Sequence, residues 1–122
     1  MELRYLDFDY SEDAEGNGVF DAMACVAPSQ HGGVLAEVVA VLGWAHATFP
    51  GACAPAEDGG LWHYELRGAR EVTTPEVLDF DERTGRLAVH AEAPAPARHT
   101  VILSLAGTAA VCEAFRLQFD MG

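Results

Sequence analysis

The chain contains no lysine, and its seven basic residues are all arginines. They stand against 19 acidic residues, which gives a formal net charge of −12 at neutral pH. Nucleic-acid binding requires a basic patch that neutralises phosphates, and anionic membranes attract proteins through the same positive charges. We therefore expect neither a nucleic acid nor a membrane among the partners, whereas a basic protein would be attracted to this chain.

The sequence also lacks a long uninterrupted apolar run. The longest, Val34 to Phe49, is broken by Glu37 and His46 and is shorter than the roughly 20 residues that cross a bilayer. The first residues have neither the basic nor the apolar region of a secretory signal. A cytoplasmic location is therefore expected. The absence of lysine, together with a single isoleucine, is typical of a GC-rich bacterial genome.

Sequence motifs for catalysis or metal binding are missing as well. The five histidines form no HxxxH pair, and the three cysteines form no CxxC pair and are expected to be reduced thiols. Asp13, Glu15 and Asn17 partly resemble a calcium loop, but its twelfth position is Ala24 rather than glutamate. We therefore expect no catalytic residue, no metal and no cofactor, although the sequence leaves open whether the protein is an enzyme.

The three thiols differ in their sequence surroundings. Cys25 and Cys112 lie in apolar stretches, where cysteine behaves as a small hydrophobic residue, whereas Cys53 lies in a loop rich in proline and glycine. Cys53 is therefore the thiol expected to react most readily.

Hydrophobic periodicity predicts the fold class. The chain of 122 residues is near the commonest domain size, so a single globular domain over residues 1–122 is expected. Alternating and continuous apolar stretches indicate a mostly antiparallel sheet of about six strands, with two helices packed on one face, in an α+β fold of order ββαββββα. The strand at 100–106 is expected to be central and buried on both faces. Strands are predicted at 5–10, 19–26, 62–67, 77–81, 86–90 and 100–106, and helices at 34–49 and 108–119.

The first predicted helix carries the strongest candidates for a binding surface. At 100° per residue its buried stripe would run from Leu35 to Phe49 through Val38, Val39, Leu42 and His46. The opposite face would present Trp44, which residues 51–60 cover or which remains exposed as an interface anchor. The interface candidates are Trp44, Glu37 and Ala40 on this helix, and the acidic Asp7 and Asp9 on the first strand.

These observations favour a non-enzymatic, cytoplasmic protein-interaction module with an acidic surface, regulatory or neutralising in role. Immunity-type proteins that block toxins have the same physical profile. A second hypothesis is a small-molecule or metal-binding protein, or a small enzyme, with an apolar pocket between the sheet and the first helix. That pocket would be lined by Trp62, Tyr64 and Phe80, with His46 as its polar group. A third is an obligate homodimer of unknown role.

Overall fold

The computed structural model describes residues 1–121, which form two α-helices and six antiparallel strands in the order ββαββββα. The predicted α+β class and element order are therefore confirmed. The elements are β1 (Asp9–Glu12), β2 (Gly18–Val26), α1 (Pro28–Thr48), β3 (Trp62–Glu71), β4 (Glu76–Asp81), β5 (Arg86–Ala91), β6 (Arg98–Gly107) and α2 (Ala109–Gln118), with a short 3-10 turn at Ala56–Asp58.

The six strands are divided between two sheets. Four form a sheet in the order β1-β2-β6-β3, and β4 and β5 form a separate hairpin between β3 and β6 in the chain. Proline interrupts the connecting segments, at position 75 on one side and at positions 94 and 96 on the other. Because proline donates no ladder hydrogen bond, the pairing of β3 with β6 does not continue into the hairpin.

The core lies between one face of the four-stranded sheet and the two helices. Along β2 buried and exposed residues alternate strictly, so that Phe20, Ala22 and Ala24 face the helices. Both helices pack over β2 and β6. The outer strand β3 is therefore only partly covered: Trp62 is buried, but Tyr64 and Leu66 on the same face are 37% and 44% exposed.

The prediction that the strand at 100–106 is buried on both faces was wrong. In β6 only Val101, Leu103 and Leu105 are buried, and the alternate residues are half-exposed. The strand is central, as expected, because it pairs with β2 and β3. Both helices lie on one side of the sheet, and the other face is more open, with Met23 of β2 66% exposed there.

The first helix begins six residues earlier than predicted. Pro28 lies in its first turn, where the N–H that proline lacks would have no partner in the helix. Gly32 and Gly33, which indicated a break, lie inside the helix. Gly33 has a packing role, because a Cβ there would come within 2.6 Å of the Tyr5 ring.

The predicted buried face of this helix was wrong in part: Val38 is buried and Leu42 and Phe49 pack against the core, but other members of the predicted stripe do not. The buried positions are Val34, Glu37, Val38, Val41 and Ala45, whereas Leu35 and Val39 are 44% and 70% exposed. Between residues 34 and 48 of α1, Glu37, His46 and Thr48 are the only polar residues, so hydrophobic periodicity alone could not identify the face that packs on the sheet.

Other predictions at the ends of the chain agree with the structure. The alternation of Leu6, Phe8 and Tyr10 with exposed acids is present, although only Asp9–Glu12 pairs as a strand. The inner face of α2 is the one predicted, with Val111, Cys112, Phe115 and Phe119 buried. Within residues 1–121, no helix combines the length and the apolar character needed to cross a membrane.

Candidate functional site

The most exposed apolar feature is the β4–β5 hairpin, residues 76–91, which we call the arm. Its turn is the predicted one: Gly85 has φ +68°, a left-handed conformation that glycine adopts without strain. The Gly85 N–H donates to the Asp81 carbonyl at 2.8 Å, and the Asp81 carboxylate accepts from the Arg83 N–H at 2.9 Å. The loop is therefore closed by its own hydrogen bonds.

One face of the arm is apolar and uncovered. The register places Leu78 opposite Val89 and Phe80 opposite Leu87, so the four side chains share a face. Their exposed fractions are 62%, 53%, 67% and 58% respectively. A contiguous apolar patch of this kind marks an interaction site more often than isolated exposed leucines do.

The arm extends away from the core. Each of its strands has six residues, so it is about 20 Å long at roughly 3.3 Å per residue. Two backbone hydrogen bonds join the two segments that connect it to the sheet, from Glu92 N–H to the Pro75 carbonyl at 2.9 Å and from Ala95 N–H to the Thr73 carbonyl at 2.8 Å. The two connecting segments are therefore paired with each other, while the apolar face of the arm remains in solvent.

Net charge is unevenly distributed between residues 62–107 and the rest of the chain. Residues 62–107, which run from β3 through the arm to β6, contain five arginines and seven acids, a net charge of −2. The other residues contain two arginines and 12 acids, a net charge of −10. The acidic character therefore belongs mainly to the segments outside the β3-to-β6 region.

Trp44 packs against three other aromatic side chains. Its ring contacts Phe49 at 5.9 Å between centroids, Phe115 at 5.8 Å and Phe119 at 5.6 Å. The side chain is half-buried, and these ring contacts are with the end of α1, with α2 and with the residue that follows α2, rather than with residues 51–60. Trp44 thus joins the two helices.

Glu37 was predicted on the outer face of the helix, and that placement was wrong. Its side chain is 9% exposed. The carboxylate accepts backbone hydrogen bonds from Arg4 at 2.9 Å, from Tyr5 at 2.9 and 3.1 Å and from Leu6 at 3.0 Å. A carboxylate with several N–H donors tolerates burial, so the only acid of the helix stabilises the fold instead of facing a partner.

The remaining interface candidates lie at the surface. Asp7 and Asp9 are exposed beside β1, and Ala40 is half-exposed on α1. Neither aspartate forms a salt bridge within residues 1–121. Both can therefore attract a basic partner over a distance of about one Debye length.

Three of the four pocket candidates come together. The His46 ring lies 4.9 Å from that of Trp62 and 6.4 Å from that of Tyr64, and the two aromatic rings stack at 6.0 Å. Phe80 is instead on the arm, where it is 67% exposed. The Trp62 Nε1 atom is buried and has no hydrogen-bond partner among the described residues.

A cleft of about 570 Å³ opens at the end of the sheet where β3 begins and β6 ends, and it includes Glu12, Asp13 and His63. Asp13 already accepts hydrogen bonds from the N–H groups of Glu15 and Asn17, at 2.9 and 3.1 Å. Within residues 1–121, no three His, Cys, Asp or Glu side chains are grouped closely enough to hold a metal ion.

The exposure of the three thiols differs from what the sequence indicated, because Cys53 is not the most exposed of them. Cys25 is exposed and Cys53 only half-exposed. Hydrogen bonds from Thr100 and Arg98 lower the pKa of Cys25 below its ordinary value of 9.0, whereas burial raises the pKa of Cys112. Cys25 is therefore the thiol with the more reactive surroundings, because β2 turns it to the open face of the sheet.

A histidine pair was not predicted. His31 in the first turns of α1 stacks on His99 of β6, with ring centroids 3.9 Å apart and an angle of 12° between the planes. Partial burial, with the nearby His31 and Arg70, lowers the pKa of His99. No sequence signal could have revealed the pair, since 67 residues separate its members.

No protein family, no curated protein and no solved structure matches this chain.

Proposed function

We propose that the protein is a non-enzymatic, cytoplasmic protein-interaction module that binds another protein through the arm. One observation carries the proposal: Leu78, Phe80, Leu87 and Val89 share one face of a protruding hairpin, and each exposes more than half of its surface. Exposed apolar surface of this extent gains stability when a partner covers it.

The side chains of the arm indicate what kind of surface the partner would offer. Phe80 is the largest side chain on the apolar face, and aromatic residues are the usual anchors of interfaces. The opposite face carries Asp79 and Asp81 on one strand and Arg86 on the other. The partner would offer an apolar groove for Phe80, with polar groups at its rim.

The acidic surface outside the arm would guide the approach of such a partner. Its net charge of −10 attracts a basic protein and accelerates association at low salt. Asp7 and Asp9 are exposed members of this surface, whereas Trp44 and Glu37 have roles in the fold. A regulatory or neutralising role follows if the covered groove is the partner's own functional site.

Comparative affinity capture tests this proposal. The purified wild-type chain and the variant Phe80→Asp/Leu87→Asp are each immobilised and exposed to extract of the source cells. Leu117→Asp is the matched control, because Leu117 is 74% exposed on α2 and away from the arm. We expect the wild type and the control to retain a common partner that the arm variant loses. Retention of that partner by the arm variant would contradict the proposal.

A further inference from the structure

We infer that β3 pairs edge to edge with β3 of a second copy of this chain, giving a two-fold symmetric dimer. The inference goes beyond the proposed function and depends on different residues, because it concerns the outer strand of the main sheet and not the arm. The two can therefore fail separately.

The outer edge of β3 is open over most of its length. Ala54 N–H donates to the Trp62 carbonyl at 2.9 Å, and Leu61 N–H donates to the Ala52 carbonyl at 2.9 Å, so the loop before β3 covers the edge as far as Trp62. From residue 63 to 71, no backbone partner other than β6 is present within residues 1–121. An open edge of this length is a template for pairing with another strand.

The helix side of β3 is also only partly covered. Tyr64 and Leu66 are 37% and 44% exposed, and Leu35 and Val39 are exposed on the face of α1 that neither β2 nor β6 buries. When two identical edges pair antiparallel about a two-fold axis, the same faces of both sheets come together. These apolar side chains of one copy would then meet those of the other.

Charge selects one register. If Leu66 lies on the axis, residues 63–69 of the two copies pair, and Glu65 of each copy lies opposite Arg67 of the other. Neither residue has an ion pair within residues 1–121, so both are available. The dimer therefore contains two cross-strand pairs of opposite charge, one on each side of the axis.

The neighbouring registers are less favourable. With Arg67 on the axis, the two copies of Arg67 oppose each other, and with Gly68 on the axis, Glu65 opposes Glu71. A register centred on Ala69 pairs Arg67 with Glu71, but it uses only residues 67–71 and leaves Tyr64 and Leu66 in solvent. Like charges that face each other across strands are destabilising, so the register centred on Leu66 is preferred.

The glycine at position 68 also fits the register centred on Leu66. Its φ is not positive, and a Cβ there would meet only the Thr100 carbonyl oxygen, at an ordinary contact distance of 3.8 Å. The fold of the single chain therefore does not require glycine, which weakens a strand. In the dimer, Gly68 lies opposite Tyr64 of the second copy, on the same face. A glycine leaves room for that ring, and an aromatic side chain across an edge strand covers the glycine.

The size of the contact indicates a reversible dimer. Seven paired residues span about 23 Å, which with a sheet-and-helix layer about 20 Å thick gives about 450 Å² per copy. Stable complexes bury about 800 Å² per partner. We therefore expect a monomer–dimer equilibrium with a dissociation constant on the order of micromolar.

Sedimentation velocity over a concentration series tests the inference. The wild-type chain should change from its 13.0 kDa monomer to a species of twice that mass as concentration rises. Arg67→Glu places two acidic pairs across the interface and should raise the dissociation constant about tenfold or more. The double exchange Glu65→Arg/Arg67→Glu restores both opposite-charge pairs and should bring the constant back near that of the wild type.

Two further variants make the result decisive. Arg83→Glu makes the same change of charge on the turn of the arm, away from β3, and should leave the dimer unchanged. Gly68→Val should keep or raise the melting temperature, because valine favours a strand, while weakening the dimer by crowding Tyr64. A wild-type chain that stays monomeric would overturn the inference, and so would a dimer that Arg67→Glu and Arg83→Glu affect equally. Neither result bears on the arm.

Discussion

The backbone N–H of Tyr5 donates to both carboxylate oxygens of Glu37, at 2.9 and 3.1 Å. The backbone N–H groups of Arg4 and Leu6 also donate to this carboxylate. One helical side chain therefore holds the segment before β1 against α1, and the Tyr5 ring fits over Gly33 at the same place. The apparently isolated acid of the apolar helix is an anchor for the start of the chain.

Replacing Glu37 should destabilise the protein strongly. Glu37→Ala leaves buried N–H donors without acceptors and should lower the free energy of unfolding by about 3 kcal/mol. Glu37→Gln keeps one acceptor oxygen and should cost less. Urea unfolding measures both, with Glu113→Ala on the exposed side of α2 as a control that should change stability by no more than about 0.5 kcal/mol. Equal stability of Glu37→Ala and the control would contradict the anchoring role.

Trp44→Ala should act on stability and not on partner binding. The substitution removes ring contacts with Phe49, Phe115 and Phe119, and should lower the free energy of unfolding by about 3 kcal/mol. Trp44→Phe should recover a large part of this loss. Urea unfolding and capture of the partner at a temperature where the variant is folded separate the two effects. Loss of the partner by a folded Trp44→Ala protein would show that Trp44 belongs to the binding surface.

Cys25 should react with thiol reagents faster than Cys112. The Thr100 and Arg98 hydrogen bonds lower the pKa of Cys25, so more of it is thiolate at a given pH, whereas Cys112 is buried with a raised pKa. Timed alkylation followed by peptide mass spectrometry should show Cys25 modified first and Cys112 only on unfolding. Arg98→Ala should shift the pH profile of Cys25 labelling upward. An unchanged profile would exclude the contribution of Arg98.

Stability should fall as the pH decreases below about 6.5. The pKa of His99 is lowered in the folded protein from its ordinary value of 6.5, so the unfolded chain binds the proton more readily. This contribution is present above pH 6.5 and is lost as the pH falls toward the folded-state pKa. His99→Phe keeps a ring against His31 but removes the proton site, and its urea midpoint should change less between pH 7.5 and about 5.5 than that of the wild type. Parallel changes in the two proteins would contradict the prediction.

Local patterns in the sequence predicted much of the fold. The strand alternation at Trp62 and Leu66, the turn before Arg86 and the inner face of α2 all follow from short-range periodicity and turn chemistry. The face of α1 could not be predicted in this way, because the stretch from residue 34 to 48 has too few polar residues to mark its exposed surface. The presence of Glu37 led to a wrong prediction of the exposed face, because its hydrogen-bond partners are backbone N–H groups 31 to 33 residues away in the chain.

The proposed binding surface was harder to predict than the fold. The pattern at residues 77–90 correctly predicted a hairpin, but an alternating strand pattern is normally interpreted as one buried face and one exposed face. Whether Phe80 faces the core or solvent depends on tertiary packing, which a local pattern does not contain. The prolines at 75, 94 and 96 were the available signal that the hairpin would separate from the sheet.

The most direct test of the arm as the binding element is site-specific photo-crosslinking. A photoreactive phenylalanine analogue replaces Phe80 in one protein and Leu117 on α2 in another, and each is irradiated in extract of the source cells. The proposed function predicts a covalent adduct with a second polypeptide from position 80 and none from position 117. Adducts from position 117 alone, or none from position 80, would contradict it.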